Sequence, residues 1–455
     1  MRVFNRQVST RSLTVFGFET ILISGSVLLA AQLHGAFDHA VSGLWKVLLV
    51  TALCELCFYY NDLYDLNRVH ARNEMVVHVL QGTGAAAIAL AVLSAVLPSL
   101  LLGQGTFITT LGLLLIAVPL WRLAFIGLTS DPHLEDRILI VGTGTLAQTV
   151  ARQIRAQHDF AYRIVGFIED PAAGDAGGAA PVLGTPADLA RLIDCYRVDR
   201  VVVGLADRRG RLPIQELLHA KLSGVCVEDA ATTYERITGK ILVDDLKPSW
   251  LIFSDGFQAS RLTRVAKRTF DLACALVGFV LALPLMALTA IAIRLESPGP
   301  ILYCQERVGE NGRPFTLCKF RSMRTDAETG TPLWAKDHDD RVTRVGRFIR
   351  LTRLDELPQF WNVLRGDMSF VGPRPERPFF VQQLEAVIPF YAARHAVKPG
   401  VTGWAQVKYR YGASVEDALE KLRYDLYYIK HRSLVFDLTI LLDTVKVIIA
   451  RKGAQ

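Results

Sequence analysis

Leu272-Ala-Cys-Ala-Leu-Val-Gly-Phe-Val-Leu-Ala-Leu-Pro284-Leu-Met-Ala-Leu-Thr-Ala-Ile-Ala-Ile293 is an apolar run of 22 residues with a proline at its centre. Its length suffices to cross about 30 Å of hydrocarbon as a helix. Two features oppose a straight crossing. Pro284 removes a backbone hydrogen bond and disfavours a helix interior by about 3 kcal/mol. The run is also basic at both ends, with Lys267-Arg268 before it and Arg294 after it, and residues 261–455 hold 30 Lys and Arg against 20 Asp and Glu. A crossing would carry that cationic segment through the bilayer against the positive-inside bias. The pattern predicts a re-entrant helix over 270–295, broken at Pro284, that dips into the membrane and returns. The backbone groups freed at the break must then be satisfied by protein or water. A straight span stays the alternative.

Upstream, four further apolar runs occupy about 13–33, 44–64, 76–102 and 106–129. Each is close to the length of a spanning helix. Glu19 interrupts the first, and no small-residue cleavage site follows it, so a signal anchor is expected rather than a removed leader. Arg2, Arg6 and Arg11 precede the first run; Arg68, His70 and Arg72 lie between the second and third; segments 34–43 and 98–105 hold no Lys or Arg. This asymmetry predicts a multi-pass inner (cytoplasmic) membrane protein with everything after residue 130 on the cytoplasmic face. Glu19, Lys46 and Glu55 fall in or near the spans and are expected to pair within the bundle or to lie at helix ends.

The whole chain fits this division. It has 455 residues, 51% apolar and 21% charged, with a mean hydropathy of +0.27. That excludes a disordered chain, a collagen-like repeat and a small disulfide scaffold. Seven scattered cysteines argue for reducing surroundings. Cys54 and Cys57 form a C-x-x-C without a second pair, and packed thiols explain them better than zinc.

After Asp131-Pro132 the texture becomes α/β. Arg137-Ile-Leu-Ile-Val-Gly142 reads as a buried strand, and Gly142-Thr-Gly144-Thr-Leu-Ala147 opens a helix. A strand follows at 163–168, ending in Glu169-Asp170. A Gly/Ala-rich loop (172–180), a helix near 186–195 and a strand at 200–205 come next. Such alternation indicates a doubly wound, Rossmann-like sheet. The G-x-G-x-x-A pattern with an acidic residue downstream is similar to a dinucleotide fingerprint. The chain has no Tyr-x-x-x-Lys pair, which weighs against short-chain dehydrogenase chemistry and favours a structural or regulatory module. The predicted architecture is therefore a four-helix transmembrane region (1–130), a Rossmann-like α/β domain (131–260) and a mainly α, monotopic catalytic domain (261–455).

The last domain carries the motifs: Gln305-Glu306-Arg307, Lys319-Phe-Arg321-Ser-Met323, Arg341-Val-Thr-Arg344-Val-Gly-Arg347-Phe-Ile-Arg350, Leu354-Asp355-Glu356-Leu-Pro358-Gln359, Gly372-Pro373-Arg374-Pro375, and Lys398-Pro-Gly-Val-Thr-Gly403-Trp404-Ala-Gln406. This block, over about 263–453, resembles the bacterial sugar transferases, the monotopic polyprenyl-phosphate phosphoglycosyl transferases. The layout resembles their large form. The opening Met1–Arg6 and the length are further similar to glycosyltransferases of PEP-CTERM/exosortase exopolysaccharide systems.

The resemblance implies transfer of a sugar-1-phosphate from a nucleoside diphosphate sugar, a UDP-sugar by expectation, to undecaprenyl (polyprenyl) phosphate, initiating exopolysaccharide synthesis. Both substrates are polyanions, so fixed cations and Mg²⁺ must screen their repulsion. One substrate lies in lipid and the other in water, so the site belongs at the membrane surface. In the family's pattern Asp355 is the nucleophile, forming a phospho-aspartate intermediate, and Glu356 helps hold Mg²⁺. A carboxylate nucleophile divides the reaction into two displacements. From spacing alone, Asp355 could equally cap a helix beginning at Glu356, with Pro358 in its first turn.

Lys319, Arg350 and Arg374 match basic positions around the donor and are expected on its phosphates. Prolines on both sides of Arg374 restrict its backbone. Most of Arg341, Arg344, Arg347 and Arg353 read as solvated or lipid-facing. Asp425 matches an acidic family position, with a metal-linked role or an ordinary salt bridge as its two readings. Asp337-His338-Asp339-Asp340 looks like a ligand cluster but lies in a polar stretch outside the matched pattern. The family's membrane helix commonly breaks at Ser-Pro; here the pair is Leu283-Pro284, one hydroxyl fewer.

Two other classes compete: a membrane-tethered nucleotide-sugar oxidoreductase using the Rossmann-like module, and a non-catalytic scaffold in which Trp404 and the tyrosines of 424–428 stack nucleic-acid bases. The expectation is no nucleic acid; a homo-oligomer is left open.

Overall fold

A computed structural model of the chain describes residues 2–3, 6–7, 10–35, 40–61, 63–64, 72–96, 103–129, 135–156, 162–169, 181–205, 212–243, 254, 256–258, 260–325, 327, 340–409, 412 and 414–449. Two compact units divide it, Gln7–Thr233 and Tyr234–Gln455.

The first unit begins with four helices: α1 (Thr10–Leu33), α2 (Ala40–Tyr60), α3 (Arg72–Val96) and α4 (Gln104–Thr129). Their sequences are apolar all round rather than on one stripe, as expected for helices in lipid. Val27, Cys54, Phe58, Leu114 and Val118 fill the interior, while Ile21, Leu48, Ile88 and Ile116 point outward. Among the described residues, segments of α1, α2 and α4, and the later helix Arg261–Glu296, are long and apolar enough to cross a membrane; the apolar part of α3, Val77–Leu93, is shorter. Cys54 and Cys57 are free thiols packed in this bundle.

Glu19 finds its partner on α4. Arg122 donates from Nε to Glu19 Oε1 at 2.5 Å, from its second terminal nitrogen to Oε2 at 3.1 Å, and from the first to the Leu63 carbonyl at 2.7 Å. Glu19 is 0% and Arg122 3% exposed. Glu55 accepts the Thr20 hydroxyl, and Lys46 lies 5.8 Å from the Trp45 ring centroid. Glu19 therefore pairs inside the bundle. Its partner, a lone arginine in an apolar run, carries no sequence signal of its own. Removing one member of a buried pair strands the other's charge at about 3–5 kcal/mol, whereas replacing both by apolar residues is often neutral. Arg122→Leu is therefore expected to lower the detergent-solubilised unfolding midpoint markedly, and Glu19→Leu/Arg122→Leu to recover most of the loss. A double variant as unstable as the single one would contradict this pairing.

A five-stranded parallel sheet follows: β1 (Asp136–Val141), β2 (Tyr162–Ile168), β3 (Val182–Gly184), β4 (Arg200–Val203) and β5 (Cys226–Asp229), in the order β3-β2-β1-β4-β5. Helices α5 (Thr145–Ala156), α6 (Leu189–Tyr196), α7 (Ile214–Leu222) and α8 (Ala230–Thr238) connect or follow these strands. The order reverses at β1, as in a doubly wound sheet. Gly142 follows β1 at φ 106°, a conformation that favours glycine. A Cβ on Gly204, after β4, would lie 2.8 Å from the Ala147 Cβ. Gly142 and Ala147 of the G-x-G-x-x-A pattern thus pack closely against the turn after β4, whereas a Cβ on Gly144 would meet open space. Glu169 follows β2, exposed; Asp170 and the loop 172–180 lie outside the described residues.

The second unit takes up the chain inside α8. Ile241 and Val243 join its core, Ile241 N donates to the Arg423 carbonyl, and Glu235 accepts from Lys430 at 2.8 Å and pairs with His431 at 2.5 Å. Then comes α9 (Arg261–Glu296), capped by the Ser260 hydroxyl, which accepts from Thr263 N. The expected helix–break–helix is corrected here: α9 is helical throughout, with Pro284 inside it. Both of its ends are fastened to this unit. Arg268 donates to the Val363 and Leu364 carbonyls, and Asp271 accepts from Ser369 Oγ and Phe370 N. At the far end Ile293 packs on Phe320 and Ile349, and Glu296 accepts from Val345 N. Between these anchors Leu276, Val280, Leu281, Leu288 and Ile291 are exposed.

Beyond α9, β6 (Leu302–Val308) and β7 (Pro314–Phe320) form an antiparallel hairpin with Leu302 opposite Phe320 and Val308 opposite Pro314. Helices α10 (Arg344–Leu351) and α11 (Gln359–Arg365) follow; Gly366 at φ 98° ends α11. Strands β8 (Ser369–Val371) and β9 (Gly400–Thr402) pair in parallel, with α12 (Pro378–Val387) between them. The chain closes with α13 (Trp404–Lys408), α14 (Val415–Lys430) and α15 (Leu434–Ile449). Trp404, Tyr424, Tyr427, Tyr428 and Phe436 are buried together, with the Trp404 and Phe436 rings 5.0 Å apart. The aromatic residues considered for base stacking are therefore core.

Candidate active site

The Asp355-Glu356 pair owes its position to a short sequence of local events. Helix α10 starts where the Thr343 hydroxyl accepts from Gly346 N at 2.9 Å. After it ends, Arg353 takes the left-handed conformation, φ 59° and ψ 16°, which a residue with a Cβ adopts at a cost of about 1–2 kcal/mol. The chain then makes a single 3₁₀ turn, Leu354–Glu356, and Pro358 leads into α11. The capping alternative is corrected: no side chain of the pair caps a helix, and α11 begins at Gln359. Strain at Arg353 sits one residue before the turn that holds both carboxylates.

Those carboxylates differ sharply. Asp355 is 8% exposed. Burial, and then the neighbouring Glu356 charge, push its carboxyl up to about 6. Burial acts on Glu356 in the same direction, but three cations overcome it and hold that carboxyl down at about 2. Arg374 donates to Glu356 Oε1 at 3.0 Å, Arg353 lies 3.8 Å and Lys319 Nζ 3.9 Å from the same atom. Lys319, on β7, is lowered to about 8 by burial and by the Arg374 charge beside it. Near neutral pH one carboxylate is permanently ionised and the other sits close to its titration.

Six of the seven site residues expected from sequence, Lys319, Arg350, Asp355, Glu356, Arg374 and Asp425, line one cavity of about 840 Å³; the seventh, Pro284, does not. Eleven Lys and Arg side chains and four Asp and Glu side chains line it. A cavity so cationic suits a ligand with several negative charges. Arg350 Nε donates to Ser322 Oγ at 2.8 Å, which aims its guanidinium from α10. The Arg374 carbonyl accepts from Arg394 at 3.0 Å, so the Pro-Arg-Pro segment is tied down as well as proline-restricted. Asp425 is 2% exposed, and its Oδ2 accepts from Arg394 at 2.8 and 3.1 Å. That carboxylate thus belongs to an ion pair, the plainer of its two readings.

The geometry adds residues that sequence reading passed over. Arg353 and Arg341, read as solvated or lipid-facing, line the cavity, as do Arg307, Arg394 and Lys421. Arg307 stood in a quoted motif, but Arg394 and Lys421 meet the site only through tertiary packing. Pro284 lies within α9. Asp337, His338 and Asp339 lie outside the described residues. Among the described residues no three His, Cys, Asp or Glu side chains converge as a metal cage. Two adjacent carboxylates on a cationic cavity wall instead fit a Mg²⁺ shared with ligand phosphates, which needs only one or two protein carboxylates.

Comparison with known proteins matches residues 262–451 to the bacterial sugar transferase family and residues 60–219 to a CoA-binding domain family. A UDP-N-acetylgalactosamine-undecaprenyl-phosphate N-acetylgalactosaminephosphotransferase of Aeromonas hydrophila is 45% identical over 221 residues, 49% of this chain and 52% of that one. The present chain thus spans about half of that relative. A UDP-glucose:undecaprenyl-phosphate glucose-1-phosphate transferase of Escherichia coli (strain K12) is 33% identical over 323 residues, 69% of this chain and 68% of its own. A Bacillus subtilis protein described as a putative undecaprenyl-phosphate N-acetylgalactosaminyl 1-phosphate transferase is 55% identical over 128 residues, 28% of this chain and 72% of that one. With the matched segment containing the whole cationic cavity and its carboxylate pair, the chain belongs to the bacterial sugar transferase family.

Proposed function

We propose that the protein transfers a sugar-1-phosphate from a nucleoside diphosphate sugar to undecaprenyl phosphate, through a phosphosugar intermediate on Asp355. The observation that carries this reading is the unequal carboxylate pair on the wall of a strongly cationic cavity. The names of the relatives, which act on UDP-glucose, UDP-N-acetylgalactosamine and undecaprenyl phosphate, support a UDP-sugar donor and a polyprenyl acceptor.

Lys319, Arg350 and Arg374 bind the donor diphosphate and draw charge from its oxygens. The Asp355 carboxylate attacks the phosphorus that bears the sugar; its O–P bond forms as the bridging O–P bond to the nucleotide breaks, releasing a nucleoside monophosphate. A phosphate oxygen of the lipid then attacks the same phosphorus, and Asp355 leaves as a carboxylate. Glu356, kept ionised, would hold Mg²⁺ against the substrate phosphates, where the ion neutralises charge. Asp425, through Arg394, positions the Arg374 segment.

The lipid acceptor requires a site at the membrane. α9 then acts as a re-entrant element within 270–295, with the catalytic domain on the cytoplasmic face of the inner membrane. Its support is the anchoring at both ends. Arg268 and Glu296 would stand about 42 Å apart on a straight helix, more than the hydrocarbon thickness, yet both are fastened to one unit. Domains at 1–130, 131–260 and 261–455, with 234–243 packed into the last unit, complete the proposed layout. A role in exopolysaccharide synthesis is consistent with a Rhizobium leguminosarum relative described as an exopolysaccharide production protein, 40% identical over 187 residues.

The test is incubation of purified protein with undecaprenyl phosphate, Mg²⁺ and a panel of nucleotide sugars, reading which monophosphate is released; release from none of them would sink the reading. The pH dependence is a second check. Asp355 must be ionised to attack, so the rate rises as pH passes about 6; Lys319 must be charged to bind phosphate, so it falls as pH passes about 8. The expected profile of kcat/KM is a bell with limbs near those values, and a flat profile between pH 5 and 9 would contradict both assignments.

A further inference from the structure

Cys304 on β6 lies directly opposite Cys318 on β7, and their sulfur atoms are 2.9 Å apart. Both are free thiols; Cys304 is exposed and Cys318 half-buried. Directly opposed residues of an antiparallel pair have Cα atoms about 4.5–5.5 Å apart, inside the span of about 4.4–6.8 Å that a disulfide tolerates. No strand has to shift register for the two sulfurs to bond. Along the middle of the hairpin side chains alternate, so Tyr303, Gln305, Leu317 and Lys319 line the cavity while the cysteines between them do not; Leu302 and Phe320, at the end of the hairpin, also reach it. The thiols therefore occupy the back of the wall whose front carries Lys319.

We propose that Cys304 and Cys318 are a site of reversible oxidation, joined to a disulfide by a hydroperoxide, and that the bond slows the transfer reaction by fixing the strand that presents Lys319. The effect on rate rests on the proposed function; formation of the bond does not. Cys304, the exposed thiol, meets the oxidant. Its sulfur attacks a peroxide oxygen, the O–O bond breaks, water leaves and a sulfenic acid remains. Cys318, kept protonated by burial and by its hydrogen bond to Cys304, which push it up to about 11, acts second. Its sulfur displaces the sulfenic oxygen, which departs with the Cys318 proton as a second water. Two thiols and one hydrogen peroxide thus give one disulfide and two waters. Closure draws the sulfurs from 2.9 Å to the bonded distance of about 2.05 Å. That change is taken up by the two cysteine side chains at the back of the wall, while the crosslink removes the freedom β7 needs to bring Lys319 onto a bound phosphate, where a misplacement of about 1 Å slows a positioned reaction by up to about 10²-fold.

The experiment treats the purified full-length protein with hydrogen peroxide, blocks remaining thiols with N-ethylmaleimide, and splits the sample between non-reducing peptide mass spectrometry and an assay of nucleoside monophosphate release. The expected result is a peptide linked through Cys304 and Cys318, turnover lower by about fivefold or more, recovery with dithiothreitol, and neither change in Cys304→Ser. Retention of N-ethylmaleimide on both cysteines after peroxide overturns the proposal, as does a linked protein that turns over like the reduced one. Equal loss of rate in Cys304→Ser would assign the sensitivity to other cysteines and also overturn it. Should the reduced protein release no monophosphate at all, the transferase reading fails, and the peptide map still decides the disulfide.

Discussion

Asp355→Asn is expected to abolish monophosphate release, by about 10⁴-fold or more, while the protein becomes slightly more resistant to heat. The first effect follows from losing the attacking oxygen, since removing a nucleophile costs far more than removing one binding contact. The second follows from linkage. The folded carboxyl binds its proton up to about 6, above its ordinary value of 3.8, because it is buried beside Glu356. The folded state therefore favours the neutral form: that stabilisation is complete below the ordinary value and is lost as pH rises through about 6. At pH 7 the ionised carboxylate burdens the fold. A neutral amide of the same shape removes the burden, so the unfolding midpoint at pH 7 should rise by a few degrees and the gain should vanish near pH 4. A variant that lost both activity and stability would indicate that Asp355 is structural.

Arg374→Ala carries the second large expectation, a loss of about 10²–10³ in kcat/KM, the magnitude usual for deleting one preorganised donor to a reacting oxyanion. Arg374 is the nearest cation to Glu356, at 3.0 Å, and, after burial, its charge is the next cause that holds Lys319 down at about 8. Removing it should let the lysine rise toward its ordinary value, so the alkaline limb of the pH profile should move above pH 8 in the residual activity. That displacement separates a phosphate-binding role from general damage, which would lower the rate without moving the limb. Arg374→Lys should keep the limb near 8 but recover only part of the rate, because an ammonium lacks the guanidinium fork. An unchanged limb in Arg374→Ala would contradict the coupling.

The sequence made some of this legible and concealed the rest for identifiable reasons. The membrane helices announce themselves as long apolar runs, and β1 with its Gly142 turn as a strand opening a helix, because those signals are local. The ordered motifs pointed to Lys319, Arg350, Asp355, Glu356 and Arg374, and the fold brings them to one cavity. The left-handed Arg353 was illegible, since no residue type demands that conformation there. The Arg394–Asp425 pair depends on two segments 31 residues apart meeting in the core. Arg122 was hidden because one arginine barely alters a hydropathy profile, and its partner lies 103 residues away. The unit boundary inside α8 escaped because Glu235 joins the second unit through side-chain pairing with Lys430 and His431, not through any change of composition. Pro284 misled in the other direction: a proline signals a break, yet helical structure continues through it.

The central claim is that Asp355 itself carries the phosphosugar between donor and acceptor. Its most direct test omits the acceptor. Protein and a radiolabelled or mass-tagged nucleoside diphosphate sugar are mixed with Mg²⁺ but without polyprenyl phosphate, and the protein is analysed by intact and peptide mass spectrometry. The predicted result is a burst of monophosphate approaching one equivalent per site, with a sugar-phosphate adduct on the peptide containing Asp355 that disappears when undecaprenyl phosphate is added. No burst and no adduct, in a preparation that turns over fully once the lipid is supplied, would contradict the account.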